Sequence, residues 1–326
     1  MLFLRWVAYL GSIGYSINDA LWLNMDETPL RFYPRNQRGN TYSRDAPVRA
    51  GATPASLRDL RTQVTGAVTV ASHPAAQLLL PQLLLPNEQG HKKLWAALPA
   101  ELTAIWPNIH VFSGSQGWMN NTTMLRYVKL IHEVLTAAGY EKVVLLMDAA
   151  RVHVSPAVLR SIARKGWRAM LVPSRLTCLL QPLDVYVFAD FKRRLYDENV
   201  DARTAIANGH ITYAAWMRIC ARAMRSTLAH ADTRVYFEKC GCNIPSANIS
   251  DAVASVVKDV DMGMIRTLSM DELSYYVGMR ADRFHKHLFH TVVPPAAAAR
   301  AIVVRRPAHR FRTKRSIGAA DLVHAE

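Results

Sequence analysis

The sequence has few cysteines, few acidic residues and no long uninterrupted apolar run. Its 4 cysteines are irregularly spaced, which excludes a disulfide-stapled secreted scaffold and predicts thiols rather than a zinc site. The apolar runs at 1–16 and 78–85 are short, the first interrupted by Arg5 and the second by Pro81. Because a bilayer span needs about 20 apolar residues, we expect no membrane segment, no secretory signal and an intracellular protein.

Positive charge is what the chain has in excess. Lys and Arg number 40 against 25 Asp and Glu, which gives a formal net charge of +15 over 326 residues. Such a balance predicts a polyanionic partner, with nucleic acid ahead of an anionic membrane surface. The chain is 50% hydrophobic and 20% charged, values typical of a folded globular protein.

The pattern of apolar residues predicts an α/β protein with a mixed five-stranded sheet flanked by helices. Five segments have the composition of strands: 20–26, 61–72, 78–85, 142–147 and 167–173. Five further segments have the pattern of helices: 121–138, 155–164, 181–196, 202–230 and 250–280.

Three acids fall at positions where they can meet. Asp26 is expected at the end of the first strand, Asp148 at the end of the central strand, and Asp184 in the first turn of a later helix. Each also has a structural explanation: a turn residue bonded to its own backbone, an ordinary strand end, or a carboxylate complementing a helix N-terminus. Together, three carboxylates repel one another unless a divalent cation such as Mg²⁺ or Mn²⁺ binds.

The sequence around these acids resembles the DDE superfamily endonucleases, in particular the pogo-like transposases. The motifs are NMDETPL at 24–30, VVLLMDAARVH at 143–153 and LVPSRLTCLLQPLDVYVFADFKRRL at 171–195. Two shorter segments also resemble the family, Gly117-Trp118-Met119 and Phe237-Glu-Lys-Cys-Gly241. The resemblance extends over roughly 18–245, and its ordered motifs make coincidence a poor explanation.

This resemblance implies an RNase H-like fold and metal-dependent cutting and transfer of DNA strands. The catalytic and metal-binding residues would be Asp26, Asp148 and Asp184, holding two Mg²⁺ or Mn²⁺ ions, with 35 residues between the last two acids. His153 matches the motif histidine, five residues after Asp148. It would orient the loop or the scissile phosphate, or it would simply be a satisfied, partly buried histidine.

The resemblance also divides the chain into four parts and shows two departures from the family. We expect a partial lead-in at 1–19, a catalytic domain at 20–245, a helical C-terminal extension at 246–293 and a basic tail at 294–326. Ala149 replaces the asparagine that usually follows the second acid, which removes a polar group beside the proposed metals. The helix-turn-helix modules that usually precede the family's catalytic domain have no counterpart in the residues before the DET motif.

Basic residues follow the second acid and continue past the third. They are expected to contact nucleic-acid phosphates, although a solvated helix face would look the same in sequence. The candidates are Arg151, Arg160, Arg164, Lys165, Arg168, Arg175, Lys192, Arg193 and Arg194. The segment 300–315 has seven basic residues and no acid, and it suits a nuclear localisation signal, a DNA-contacting arm, a polybasic membrane patch or a solvated tail.

Three functional hypotheses follow. The first is a transposase-derived, Mg²⁺-dependent DNA endonuclease and strand-transfer domain, acting on duplex DNA such as transposon ends, in the nucleus and as at least a dimer. The second is a catalytically inactive domesticated domain that binds DNA or protein. The third is a nuclease acting on RNA or hybrids, which substrate preference would distinguish through the 2′-hydroxyl.

Overall fold

The fold is known from a computed structural model that describes most of the first 257 residues. The described ranges are 2–31, 63–86, 98–112, 117–172, 176–206, 211–243 and 248–257. None of the helices in these ranges is long and apolar enough to cross a membrane. The four cysteines all lie within these ranges and are free thiols in the structure. Arg175, the basic tail and most of the expected C-terminal extension lie outside the described residues.

Six strands of the described chain form one mixed sheet. They are β1 (Leu21–Arg31), β2 (Gln63–Ala71), β3 (Gln82–Pro86), β4 (Ile109–Val111), β5 (Val143–Met147) and β6 (Arg168–Leu171). The order across the sheet is β4-β3-β2-β1-β5-β6. β1, β2 and β3 pair antiparallel, whereas β5 runs parallel to β1 and β6 parallel to β5. This topology confirms the expected α/β, RNase H-like fold.

The sheet has one strand more than the sequence predicted. The addition is β4, a three-residue edge strand that pairs parallel with β3. Its short length explains why the strand pattern was not recognised, since alternation cannot be read from three residues.

Helices cover both faces of the sheet. The helices are α1 (Leu2–Ser12), α2 (Pro74–Gln77), α3 (Leu98–Ile105), α4 (Asn121–Ala137), α5 (Pro156–Arg164), α6 (Thr177–Leu180), a π-helical turn (Leu183–Val187), α7 (Phe188–Thr204), α8 (Tyr213–Ala229), α9 (Thr233–Lys239) and α10 (Asp251–Val256). Successive β1 side chains alternate between the two faces, so Leu23 packs in the core with α4 and α5. Trp22 packs on the opposite face, in the core with α7 and α8.

Several predicted boundaries were wrong. β1 does not end at Asp26 but continues to Arg31, because β2 pairs along it from Leu23 to Arg31. Pro29 is tolerated within this strand because β5 pairs only with the first part of β1, from Leu21 to Asn24.

The third strand and the later helices also differ from expectation. The third strand begins at Gln82 and not at residue 78, since Leu78 is exposed after the short helix α2. The helix that begins near Gln181 extends to Thr204 rather than ending at 196. The following helix, α8, begins only at Tyr213, after the N-cap Thr212, so the helix predicted over 202–230 is divided.

Candidate metal centre at one edge of the sheet

Asp26 and Asp148 lie side by side because of the register between β1 and β5. In this parallel pair Asn24 is opposite Leu146, and each of the two acids comes two residues further along its strand. Asp26 is 8% exposed within β1, whereas Asp148 is half-buried, directly after β5. Asp26 is therefore a strand residue rather than the turn residue of the structural alternative.

Asp184 belongs to a later segment of the chain and is the second residue of the π-helical turn. The backbone N–H of Leu183 donates to Asn24 Oδ1 at 2.8 Å, which fixes the start of this turn against β1. π-helical turns are rare and occur frequently at functional sites. The structure thus brings Asp184 into the electrostatic neighbourhood of Asp26 and Asp148.

Burial and mutual repulsion govern the charge of two of these carboxyl groups. Burial raises the pKa of Asp26 to about 8, and the charges of Glu27, Asp184 and Asp148 contribute to the same rise. Burial also raises the pKa of Asp184, and Asp148 adds to this effect, whereas Thr177 and Lys192 oppose it. Like charges that raise one another's pKa create a negative potential that favours a cation.

The carboxylate of Asp26 is held by donors of the protein. Its Oδ1 accepts from the backbone N–H of Glu27 at 2.7 Å, and its Oδ2 accepts from Nε2 of Gln181 at 2.6 Å. Gln181 is fully buried, and its Oε1 has no hydrogen-bond partner among the described residues. A buried acceptor oxygen without a partner costs free energy of folding. Gln181 Oε1 is therefore a further oxygen, on a side chain bonded to Asp26, that is available to a ligand.

His153 lies between two acids. Its Nδ1 is 2.5 Å from Asp148 Oδ1, and its Nε2 is 3.0 Å from Glu27 Oε1. Burial alone would lower the pKa of this fully buried ring, but Glu27 and Asp148 raise it to about 10. The imidazolium therefore bridges β1 and the loop after β5.

His153 also determines the state of Asp148. Burial would raise the pKa of Asp148, but the hydrogen bond and charge of His153, together with the Ala150 N–H at 2.9 Å, hold it below its usual value. Asp148 is thus the one of the three acids whose pKa is lowered rather than raised. The alternation along β1 places Glu27 on the face opposite Asp26.

The chemistry of these donors fits a hard divalent cation. Three carboxylates and the unpartnered oxygen of Gln181 are the ligand type that Mg²⁺ and Mn²⁺ prefer. Within the described residues, however, no three His, Cys, Asp or Glu side chains converge in a geometry that would hold a metal ion. Asp26 and Asp148 point to their protein donors, and these side chains would have to turn to share an ion.

The predicted nucleic-acid contacts are distributed over two ends of the sheet. Arg151 is exposed in the turn after Asp148, and Lys192 is close enough to Asp184 for its charge to act on that carboxyl group. Arg193 and Arg194 both form ion pairs with Asp190, the second at 2.7 Å. Arg151 thus follows Asp148 closely in sequence, and the charge of Lys192 acts on Asp184.

The other candidates lie on α5 or beyond it. Arg160 and Arg164 are in this helix, and Lys165 caps its C-terminal end. Arg168 begins β6 and is opposite Val144 of β5. Val144 is four residues before Asp148, so Arg168 lies about 13 Å from the acids along the strand direction. Its guanidinium lies 5.0 Å from the centroid of the Tyr15 ring.

Sequence reasoning missed the two carboxamides that hold this site together. Asn24 was noted only as part of the NMDET motif, and Gln181 only as part of QPLD. A signal was available, because Asn24 interrupts an otherwise apolar strand, and a fully buried amide must find hydrogen-bond partners.

The comparisons with known proteins concern the segment that carries two of the acids. Residues 67–225 match the family model described as DDE superfamily endonuclease. The resemblance to this superfamily is confirmed. The matched segment includes Asp148, His153 and Asp184, whereas Asp26 precedes it. The narrower relation to pogo-like transposases stays a prediction.

Solved structures give a weaker likeness. The crystal structure of the Mos1 strand transfer complex is 14% identical, with a TM-score of 0.40 over 74% of this chain and 57% of that chain. The Mos1 mariner paired-end complex with Mn is 13% identical, with a TM-score of 0.38 over 74% of this chain and 61% of that chain. The chain thus spans less than two thirds of the length of these proteins. A comparison with curated proteins gives no match.

Proposed function

We propose that this chain is a metal-dependent DNA endonuclease and strand-transfer domain in which Asp26, Asp148 and Asp184 hold two Mg²⁺ or Mn²⁺ ions. The observation that carries the proposal is the placement of three acids from separate elements near one another: Asp26 in β1 lies beside Asp148, directly after β5. The charge of Asp184 acts on Asp26, and that of Asp148 acts on Asp184. The match of residues 67–225 to the DDE superfamily endonucleases supports the same chemistry.

The residues around the acids have distinct tasks in this proposal. When bound, such ions activate a water molecule or a 3′-hydroxyl and stabilise the leaving oxygen of a phosphodiester. Gln181 keeps the Asp26 carboxylate on the sheet edge through its Nε2. His153 orients Asp148 and, through Glu27, ties the loop after β5 to β1.

Duplex DNA is the proposed substrate. The net charge of +15 favours a polyanion, and the exposed Arg151 and nearby Lys192 would hold phosphates beside the acids. Action on transposon ends, assembly as a dimer on DNA and a nuclear location belong to the same proposal. The C-terminal segment 300–315 would supply localisation and nonspecific DNA contact.

A second function is favoured by two specific observations. No three ligands converge in the described residues, and Ala149 removes a polar group next to Asp148. A domain that retains the fold and the basic residues but has lost cleavage would bind DNA or protein without cutting it.

The experiment that separates these functions is a cleavage assay on plasmid and oligonucleotide duplex DNA. Wild type and Asp148→Ala are compared in Mg²⁺, in Mn²⁺ and in EDTA. We expect nicking by the wild type that requires metal and falls to the EDTA level in Asp148→Ala, because this variant lacks one of the three carboxylates.

Asp201→Ala is the matched control, since Asp201 is an exposed acid of α7 away from the site. It should cut like the wild type. If neither wild type nor control cuts DNA, although both are folded and bind it in a salt-sensitive way, the binding module replaces the nuclease. Faster cutting of RNA or hybrids than of DNA would instead favour the third hypothesis.

A further inference from the structure

We propose that Asn24 is the positioning residue that sets the spacing of the three proposed metal-binding carboxylates. The inference deepens the proposed function and rests on it. Asn24 lies on β1 two residues before Asp26, so both side chains are on the same face of the sheet. It contacts the two other segments that carry an acid.

The hydrogen bonds of Asn24 are made to backbone atoms of those two segments. Its Nδ2 donates to the carbonyl oxygen of Leu146 at 3.2 Å, and its Oδ1 accepts from the N–H of Leu183 at 2.8 Å. The side chain is fully buried, at 0% exposure. Both ends of the amide are therefore used, out of contact with solvent.

Each bonded backbone group lies within two residues of an acid in sequence. Leu146 lies two residues before Asp148, and Leu183 lies directly before Asp184. One rigid amide, whose own backbone leads to Asp26, thus connects all three acid-bearing segments. A shift of either hydrogen bond would move the corresponding carboxylate relative to Asp26, and metal ligation requires ligand positions accurate to a fraction of an ångström.

The purely structural explanation is that Asn24 is only a satisfied buried amide. Gln82 provides the test of this explanation within the same sheet. It is also 0% exposed, and its side chain accepts from the N–H and donates to the carbonyl of Thr69, both at 2.9 Å. Gln82 joins β3 to β2, neither of which carries one of the three acids.

The experiment compares Asn24→Leu with Gln82→Leu by titration with Mn²⁺, followed by electron paramagnetic resonance of free and bound ion. Measurements use the full chain at a temperature at which circular dichroism shows both variants folded. We expect Asn24→Leu to weaken Mn²⁺ binding by roughly 10–100-fold, the usual effect of removing an outer partner of metal ligands. Gln82→Leu should stay within about 3-fold of wild type, because its hydrogen bonds lie away from the acids.

A milder pair of variants keeps the test decisive if a leucine variant does not fold. Asn24→Ser retains one hydroxyl that can bond one of the two segments, so its loss of Mn²⁺ affinity should be intermediate. Gln82→Ser is its matched control. The spectrum of the bound Mn²⁺ should also broaden in the Asn24 variants alone, because the ligand geometry around the ion becomes less uniform.

The outcomes separate this inference from the proposed function. If wild type binds Mn²⁺ and the Asn24 variants bind it equally well, Asn24 does not position the acids. If the Gln82 variants lose affinity as strongly, the effect is general loss of sheet stability, and the inference is again overturned. If wild type itself binds no Mn²⁺, the proposed metal site is wrong and the inference fails with it.

Discussion

The two ends of the parallel strands carry opposite charge. At the carboxyl end of β5, Asp26 and Asp148 lie side by side, and the charge of Asp184 acts on Asp26. At the amino end, Lys142 directly precedes β5 and Arg168 begins β6, and their charged groups lie 6.0 and 5.0 Å from the Tyr15 ring centroid. One sheet therefore separates an acidic edge from a basic edge.

The two edges differ in how their charges are accommodated. The cations at the amino end lie against an aromatic ring, an arrangement that is favourable without any ligand. At the carboxyl end, burial and neighbouring acids raise the pKa of Asp26, to about 8, and that of Asp184, whereas His153 lowers that of Asp148. Three side chains, Asn24, Gln181 and His153, hold the acid-bearing segments in place. Local conflict of this kind, maintained by buried polar groups, is typical of a functional site rather than of a stable core.

The largest expected effect is at the acidic edge. Asp184→Asn should reduce metal-dependent cleavage to the level measured in EDTA, because one anionic ligand is lost. In urea denaturation with EDTA present, the free energy of unfolding of this variant should be no more than about 1 kcal/mol below that of wild type, and it can exceed it. The reason is that the substitution also removes repulsion with Asp26 and Asp148. Asp201→Asn is the control for both measurements. A strong loss of stability in Asp184→Asn would mean that this acid is structural.

The next effect concerns the histidine that holds the acidic edge together. His153→Ala should lower the free energy of unfolding at neutral pH by about 3 kcal/mol, because Glu27 and Asp148 would lose their buried cationic partner. Urea denaturation measures this change. His230→Ala, at an exposed histidine that caps α8, should change it by less than about 0.5 kcal/mol. Equal stability of the two variants would contradict the bridging role of His153.

The smallest effect concerns the basic residues and compares the two edges directly. Lys192→Ala should make the salt dependence of DNA binding less steep by about one unit in the log–log slope, since the proposed function has Lys192 contact one phosphate near Asp184. Arg168→Ala should change the slope less, because Arg168 lies about 13 Å along the strands from the acids. Fluorescence anisotropy at several salt concentrations provides the slopes.

Lys129→Ala is the control, because Lys129 is exposed on α4 and is paired with Glu133. If Lys192→Ala and Arg168→Ala changed the slope equally, the DNA would contact both edges. If Lys192→Ala left the slope unchanged, the DNA would not contact the acidic edge.

Much of this arrangement could be predicted from the sequence. The continuous apolar run before Asp148 indicated a central strand covered on both faces, and β5 is such a strand. Ser155 and Pro156 indicated the start of a helix, and α5 begins there with the Ser155 hydroxyl accepting from the Val158 N–H.

The remainder depends on contacts that are distant in sequence. The length of β1 could not be read locally, since its second half is a strand only because β2 pairs with it. Asn24 could be noticed as a polar residue in an apolar strand, but the partners of Asn24 and Gln181 lie 159 and 155 residues away, and no local pattern identifies these partners. The basic residues lie at two different edges because of the direction of β6, which could not be read from the sequence either.

The most direct test of the central claim is a crystal structure of the chain grown with Mn²⁺, with the ion located by its anomalous scattering. The account predicts anomalous peaks about 2.0–2.3 Å from carboxylate oxygens of Asp26, Asp148 and Asp184, with their side chains turned away from their present protein donors. Well-ordered crystals with no peak at this edge of the sheet, or with Mn²⁺ bound only elsewhere, would contradict it.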